Sequence, residues 1–147
     1  MANEIERKFL VVSDSYRTRS IEKHTIIQGY LSRNPDATVR VRIRNDQAFL
    51  TVKGRNKGII RDEWEYQIPI EDARTMLYKC AQGTIIEKTR YIVPEKGLKW
   101  EIDEFHGTHA GLTIAEIELP EVSTTFDLPD FIGAEVSGDP AYYNSNL

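Results

Sequence analysis

The sequence has a single cysteine, no long apolar run and no surplus of positive charge, and each shortage excludes a class of protein. Cys80 stands alone, so the chain forms no internal disulfide and no cysteine-based zinc site. No apolar stretch approaches the ~20 residues that a membrane-spanning helix needs. The opening MANEIERKFLV carries charges at once, which argues against a secretory signal peptide. We therefore expect a cytoplasmic protein without a membrane partner.

The charge balance argues against a nucleic-acid partner. Lys and Arg number 19 against 23 Asp and Glu, a net charge of −4, and an acidic chain is a poor ligand for phosphate backbones or anionic membranes. The 147 residues are 40% hydrophobic, which is enough to bury a core. No repeat, linker or low-complexity tract divides the chain, so we expect one domain over residues 1–147.

Alternation of period two dominates the sequence and predicts strands. Eight stretches show it: Glu4–Val12, Thr25–Arg33, Thr38–Arg44, Ala48–Lys53, Arg61–Ile68, Thr84–Val93, Leu98–Phe105 and Leu112–Leu119. Short turn sequences separate most of them, as at Asn34-Pro35-Asp36. This even spacing favours a mainly β fold, an antiparallel meander that can close into a barrel.

Helical patterns interrupt the strands in a few places. One helix is predicted from Pro69 to Gly83, with a common apolar face formed by Ala73, Met76, Leu77 and Cys80. A short helix is predicted within residues 13–23, and short helical pieces within the tail 123–147. Trp64 and Trp100 lie opposite the charged face of their strands, so we expect them in the core beneath the helices.

The polar face of the predicted strands is almost purely charged. Side chains two residues apart share a face of a strand, so each strand carries one charged stripe. The bases of that face are Lys8, Arg40, Arg42, Arg44, Lys53, Arg61, Lys88 and Arg90. The acids are Glu4, Glu6, Glu63, Glu65, Glu101, Asp103, Glu116 and Glu118.

Two structures accommodate such a face. A closed barrel would turn the charges into its lumen and cover its apolar outer face with helices, whereas an open sheet would expose the charges to water. Arg and Lys grip the oxygens of a polyphosphate. Clustered carboxylates at Glu4, Glu6, Glu116 and Glu118 would hold Mg²⁺ or Mn²⁺, which prefer oxygen ligands.

The charged motifs, in their order along the chain, resemble those of the triphosphate tunnel metalloenzymes, the CYTH superfamily. The N-terminal Glu-x-Glu-x-Lys signature stands as Glu4-Ile5-Glu6-Arg7-Lys8. It is followed by Arg40-Val41-Arg42, Thr51-Val52-Lys53, Arg61-x-Glu63-x-Glu65, Glu87-Lys88-Thr89-Arg90-Tyr91 and Ala115-Glu116-Ile117-Glu118-Leu119. The tail Gly133-Ala134-Glu135-Val136-Ser137, with Asp139, Tyr142 and Asn144, is similar to the C-terminal segment of the family.

The resemblance implies an eight-stranded antiparallel β-barrel tunnel with a charged lumen and helices packed outside. It implies metal ligands at Glu4, Glu6, Glu116 and Glu118, with further metal or water contacts at Asp103 and Glu63. It implies phosphate-binding residues at Lys8, Arg40, Arg42, Lys53, Arg61, Lys88 and Arg90. Lys88 and Arg90 would also stabilise charge during the reaction, and Tyr30 would offer a phenol whose partner the sequence does not identify.

Length and the segment Gln28-Gly29-Tyr30-Leu31 are most similar to the short bacterial tripolyphosphatases of this superfamily. The expected activity is metal-dependent hydrolysis of inorganic triphosphate, a small-molecule substrate, to pyrophosphate and phosphate. The alternatives are a tunnel enzyme that acts on nucleotides or thiamine triphosphate, including an adenylate cyclase, and a non-catalytic polyphosphate or nucleotide sensor. The sequence leaves the choice between a monomer and a homodimer open.

Overall fold

The computed structural model describes residues 2–147, in which nine strands form one antiparallel sheet. The strands are β1 (Ala2–Val11), β2 (Glu22–Asn34), β3 (Ala37–Arg44), β4 (Gln47–Lys53), β5 (Ile60–Ile68), β6 (Gln82–Glu95), β7 (Leu98–Phe105), β8 (Thr113–Glu118) and β9 (Ile132–Glu135). The helices are α1 (Tyr16–Arg19) and α2 (Ile70–Cys80), and three short 3-10 turns span Gly107–His109, Pro140–Tyr142 and Asn144–Asn146.

Strand β1 closes the sheet into a barrel because it pairs along both of its edges. The strand order is β5-β4-β3-β2-β6-β7-β8-β1, and β1 returns to pair with β5. Glu4 lies opposite Arg61 on β5, while Lys8 lies opposite Glu116 on β8. The predicted eight-stranded antiparallel barrel is therefore confirmed, and its closure leaves none of these eight strands as a free edge.

The ninth strand lies outside the barrel and was missed by the sequence reasoning. It pairs through Ile132 and Glu135 with the last residues of β1, beyond the point where β5 begins. Its four residues include a glycine and are too short to show an alternating pattern. This strand fixes the start of the C-terminal segment to the barrel wall.

Helix α2 covers the outward face of β2, β3 and β4. Ala73 is fully buried in a cluster with Val41 and Ala48, and Leu77 packs against the same cluster. A Cβ at Gly29 of β2 would stand 2.9 Å from Leu77 Cδ2, so glycine is required for this close approach. Apolar residues of β3 thus face the helix, while the alternate arginines face the lumen.

One prediction about the helices is wrong, and another is right about the presence of a helix but not about its length. Cys80, the last residue of the helix, is exposed rather than packed on its apolar face. The next residue, Ala81, lies over β2 instead, with its Cβ 3.3 Å from where a Cβ at Gly29 would stand. The helix predicted within residues 13–23 is one turn, Tyr16–Arg19. Glu22 instead begins β2 and pairs with Ile92, because ladder hydrogen bonds with β6 override the local helical preference. Neither helix of the described chain has the length and apolarity to cross a membrane.

The largest core cluster lies between the barrel and the C-terminal segment. Trp100 is fully buried there, with the rings of Phe9 at 5.5 Å and Phe126 at 5.7 Å, both edge to face. The core position predicted for Trp100 is confirmed, but its ring contacts come from β1 and an irregular segment rather than from a helix. Trp64 is only half-buried and belongs to none of the buried clusters of residues 2–147, so its predicted core role is wrong.

Phe131 connects α1, the tail and β1, and its removal tests the importance of this cluster. Its ring is fully buried 5.9 Å from that of Tyr16, and its carbonyl accepts a hydrogen bond from the Val12 amide. We expect Phe131→Ala to lower the free energy of unfolding by about 3–5 kcal/mol in urea titrations, because it leaves a cavity. Tyr78→Ala is the control, since Tyr78 is 90% exposed, and a loss as small as in that control would contradict this role.

Candidate active site in the barrel lumen

A cavity in the lumen gathers most of the charged side chains that the sequence singled out. Its lining holds seven bases, namely Lys8, Arg40, Arg42, Lys53, Arg61, Lys88 and Arg90. It also holds three acids, Glu4, Glu6 and Glu116. All seven predicted phosphate-binding residues therefore face one cavity. Their surplus of positive charge suits a compact polyanion.

Several of the guanidinium groups are held by neutral oxygen acceptors. Arg42 Nε donates to Gln28 Oε1 at 2.8 Å. Arg61 Nε donates to the Gly54 carbonyl at 2.7 Å, and its Nη2 donates to Thr38 Oγ1 at 3.1 Å. Neutral partners orient a base without cancelling its charge, so these arginines remain available to an anion.

Arg40 has a donor that no described residue uses. Its Nη2 donates to Thr51 Oγ1 at 3.2 Å and lies 3.6 Å from Glu65 Oε2. Its Nε is buried and has no hydrogen-bond partner within residues 2–147. A buried donor without an acceptor is costly, and an oxygen of a bound anion would satisfy it.

Asp103 holds two of the bases together. Its Oδ1 accepts from Arg90 Nε at 2.8 Å, and its Oδ2 accepts from Arg90 Nη2 at 2.9 Å and from Lys88 Nζ at 2.7 Å. Although burial opposes it, these two bases hold the pKa of Asp103 well below its usual range. Asp103 was predicted to contact metal or water, but both of its oxygens are engaged by bases, and it does not line the cavity.

Lys88 is the most deeply buried base of the site. It is 1% exposed, and burial, with Arg90 and Arg42 nearby, lowers its pKa to about 7 despite the attraction of Asp103. Burial, followed by the charges of Arg40 and Arg90, lowers the pKa of Arg42 to about 9. A bound polyanion would relieve this repulsion and favour the charged form of Lys88.

The three carboxylates of the cavity lie on β1 and β8. Glu4 accepts from Lys53 Nζ through both oxygens, at 2.9 and 3.1 Å, and Glu116 Oε1 lies 3.6 Å from Lys8 Nζ. Glu6 stands within hydrogen-bonding reach of Glu116, and burial together with the charges of Glu116 and Glu4 raises its pKa well above the usual value. Glu6 is thus the acid whose charge the site compensates least.

The donor set of these carboxylates fits a hard divalent cation. Glu4, Glu6 and Glu116 offer only oxygen ligands, and the crowded charge at Glu6 is what a cation would neutralise. Among residues 2–147, no three His, Cys, Asp or Glu side chains already surround a common point as an ion's ligands would. The fit therefore rests on the chemistry and proximity of the donors.

Glu118 and Glu63, also predicted near the metal, do not line the cavity. Glu118 is exposed as a whole residue. Its carboxyl is nevertheless partly buried, and this burial, together with the charges of Glu4 and Glu101, raises its pKa. Burial, opposed by Lys53 and reinforced by Glu4, raises the pKa of Glu63 to about 7. Both remain electrostatically connected to Glu4, although the cavity gathers only half of the six predicted metal residues.

Tyr30, whose partner the sequence did not identify, lines the same cavity as Lys8. Tyr30 is 7% exposed. Lys8 is also largely buried, which opposes its charge, but Glu116 and Glu6, followed by Tyr30, raise its pKa. Arg44, the eighth base of the sequence pattern, is absent from the cavity lining and lies 4.9 Å over the ring of Phe49 instead.

Neutral residues of the site were given no role from the sequence. Thr38 and Thr51 have the same strand parity as the arginines and the lysine that come after them in their strands, so the alternation itself was the available signal. Gln28 has the inward parity of Tyr30 and is fully buried. Periodicity did not indicate that Ser137 and residues 143–145 of the tail would reach the same cavity, because their contacts are distant in sequence. Only the family resemblance of the C-terminal segment included Ser137 and Asn144.

The crowding of carboxylates at Glu6 leads to a prediction about stability. Since the pKa of Glu6 in the folded protein lies above its unfolded value, its ionisation destabilises the folded state as pH rises. In chelator, Glu6→Gln should therefore be more stable than the wild type at about pH 8.5, and the difference should vanish near pH 5. Added Mg²⁺ or Mn²⁺ should raise the melting temperature of the wild type more than that of Glu6→Gln.

Glu121→Gln, which removes an exposed carboxylate, is the control for general charge effects. It should follow the wild type at both pH values and in both metal titrations. Equal stability of Glu6→Gln and the wild type at high pH, with an equal response to the cations, would contradict the role given to Glu6.

Comparisons with known proteins show which family the chain belongs to. The chain is 49% identical to an inorganic triphosphatase from Acetivibrio thermocellus, an alignment that covers 100% of this chain and 94% of the relative. The crystal structure of the inorganic triphosphatase NE1496 superposes with a TM-score of 0.67 at 31% identity, covering 99% of this chain and 94% of that one.

A more distant structure shares the fold alone. The PH1012 protein from Pyrococcus horikoshii has a TM-score of 0.65 at 19% identity, over 81% of this chain and 79% of that one. The CYTH domain family matches residues 2–143, which is nearly the whole chain. Together with the full-length relative, this match shows that the chain belongs to the CYTH family.

Proposed function

We propose that this protein is a metal-dependent hydrolase that splits inorganic triphosphate into pyrophosphate and phosphate. The observation that carries the proposal is the convergence of seven bases on one cavity beside three carboxylates. A relative 49% identical over the whole chain is an inorganic triphosphatase by name. The buried Arg40 Nε, which has no acceptor among the described residues, supplies a donor that an anion would satisfy.

The bases would bind and orient the substrate. Arg42 and Arg61 have neutral partners, so they can bind phosphate oxygens without first giving up an ion pair. Lys88 and Arg90 form a rigid pair through Asp103 and would stabilise the charge that develops as a phosphoryl group is transferred. Phosphoryl transfer depends mainly on positioning and electrostatics, which this arrangement supplies.

Asp103 acts, in this proposal, through the bases rather than as a metal ligand. Its two oxygens already accept three hydrogen bonds from Lys88 and Arg90. Removing it would leave two neighbouring buried cations to repel each other. Tyr30, which lines the cavity, would hold or deliver a proton at its hydroxyl.

Glu4, Glu6 and Glu116 would hold the divalent cation, which we propose is Mg²⁺ or Mn²⁺, with Glu118 and Glu63 as more distant acids. Once bound, the cation would supply Lewis acidity to the phosphoryl oxygens. Glu4 and Glu116 are paired with Lys53 and Lys8. Ion binding by these acids would leave both lysines free to contact phosphate.

The cellular location, the oligomeric state and the single-domain assignment for residues 1–147 stay predictions from the sequence. The proposed partner is a small triphosphate, and the acidic net charge of −4 remains the argument against nucleic acid.

The proposal is tested by phosphate release from tripolyphosphate, ATP, thiamine triphosphate and pyrophosphate. Each substrate is assayed with Mg²⁺, with Mn²⁺ and with chelator. We expect metal-dependent phosphate release from tripolyphosphate to be much faster than release from ATP. The lining consists chiefly of charged groups and offers few surfaces on which the adenine ring could pack. Faster release from ATP or thiamine triphosphate would assign another triphosphate as substrate. Binding of tripolyphosphate without release from any substrate would contradict catalysis.

Arg40 and Arg44 lie on the same strand and form a matched pair of variants. Arg40→Ala should lower kcat/KM for tripolyphosphate about 100-fold or more, because it removes buried donors from the anion site. Arg44→Ala, whose guanidinium covers Phe49 outside the cavity lining, should stay within about threefold of the wild type. Melting temperatures measured alongside separate a catalytic loss from unfolding. Equal losses in the two variants would contradict the assignment of Arg40.

A further inference from the structure

The C-terminal residues cover one end of the barrel and reach into the lumen. Tyr142 and Leu147 pack against a buried cluster formed by Tyr30, Ile86, Phe105 and Ile114. The Tyr142 carbonyl accepts from Lys8 Nζ at 3.1 Å, and the Ser145 carbonyl accepts from Arg33 Nε at 2.6 Å. The tail is therefore attached both to the barrel rim and to a base of the site.

Asn144 is the tail side chain that contacts the bases most directly. Its Oδ1 accepts from Lys88 Nζ at 3.0 Å and from Gln28 Nε2 at 3.2 Å. Gln28, which is fully buried, in turn accepts from Arg42 Nε through its Oε1 at 2.8 Å. The Asn144 amide is thus connected to two of the proposed phosphate-binding residues. It contacts Lys88 directly and Arg42 through Gln28.

We propose that Asn144 is a positioning residue for catalysis, which orients Lys88 directly and Arg42 through Gln28. This inference rests on the proposed triphosphatase function and adds the C-terminal tail to its site. Asn144 acts through these bases and is not itself assigned a contact with substrate.

The chemistry of the donors fixes the orientation of each amide in this chain of contacts. The charged form of Lys88, which Asp103 favours, has three N–H donors and no acceptor, so the Asn144 atom that faces it must be the oxygen. That oxygen in turn requires the NH₂ group of Gln28 on its other side, which directs the Gln28 oxygen to Arg42. The ammonium of Lys88 thereby has two donors committed, to Asp103 and Asn144, and one left for a ligand.

Loss of the Asn144 oxygen would release both ends of this arrangement. The ammonium of Lys88 could rotate about Asp103 alone, and the Gln28 amide could turn its NH₂ group toward Arg42. Small misplacements of catalytic groups have large effects on rate when catalysis depends on positioning. The expected defect is therefore in turnover, with all seven bases still present in the cavity.

Asn144→Ala tests the proposal, and Asn146→Ala is its matched control. Asn146 lies in the same 3-10 turn, but its side chain is exposed and donates to the Pro140 carbonyl. We expect Asn144→Ala to lower kcat for tripolyphosphate about tenfold at a nearly unchanged melting temperature, with Asn146→Ala within about twofold of the wild type. Wild-type kcat in Asn144→Ala, or an equal loss in Asn146→Ala, would overturn the proposal.

Two further substitutions separate positioning from a merely structural role. Asn144→Asp retains an oxygen acceptor, so kcat should recover to within about threefold of the wild type while KM rises, because the added charge repels the polyanion. A kcat as low as that of Asn144→Ala would overturn the proposal. Asn144→Ser leaves room for a water beside Lys88 and replaces the alanine variant if that variant does not fold.

The wild-type assay distinguishes failure of this inference from failure of the proposed function. If the wild type releases no phosphate, the triphosphatase proposal fails, and the comparison passes to tripolyphosphate affinity measured by calorimetry in chelator. Asn144→Ala should then bind tripolyphosphate several-fold more weakly than Asn146→Ala, because Lys88 and Arg42 are no longer held. Equal affinities would overturn the positioning role even in that case.

Discussion

The structure depends on keeping a surplus of positive charge inside a closed barrel. Closure of β1 onto β5 gives every strand of the barrel one lumen-facing side, so a base on that side cannot turn outward to water. Buried like charges repel strongly in a medium of low dielectric constant. The site therefore needs a partner for each base that limits this repulsion without removing its affinity for an anion.

The partners of the bases differ between three groups of strands around the lumen. On β2 and β3, Arg42 is held by the neutral amide of Gln28, whereas on β6 and β7 both Lys88 and Arg90 share the carboxylate of Asp103. Lys8 on β1 pairs with Glu116, and Lys53 on β4 pairs with Glu4. Arg42, Lys88 and Arg90 are thus pre-oriented. Lys8 and Lys53 are instead held by acids that a cation would recruit. A cation bound by Glu4 and Glu116 would free Lys53 and Lys8 for phosphate, and a polyanion bound by these lysines would free the carboxylates for the cation. We therefore expect cation and polyanion binding to favour each other.

Much of this arrangement was predictable because strand parity is strict. The alternation at Arg40 and Arg42 and around Val52 and Ile117 placed the charges on one face of the strands, but it left a closed barrel and an open sheet both possible. The resemblance to the CYTH superfamily implied the barrel and the seven bases that the cavity gathers. Parity does not say how far along the barrel a side chain lies, which is why Arg44, Glu118 and Glu63 were grouped with a cavity that they do not line. The exposed Cys80 shows the corresponding limit for helices, because periodicity assigns Cys80 to a face but does not show whether the last residue of the helix still packs against the sheet.

The contribution of the tail could not be predicted from periodicity at all. Its contacts with the site join residues far apart in the sequence, 56 positions between Asn144 and Lys88 and 116 between Asn144 and Gln28, and they come from 3-10 turns that carry no sequence period. A barrel alone would leave Lys88 attached to Asp103 only, and a buried polar network with an unsatisfied member is less favourable than an apolar one. The irregular C-terminal segment thus supplies Lys8 and Lys88 with hydrogen-bond acceptors that come from outside the regular strands.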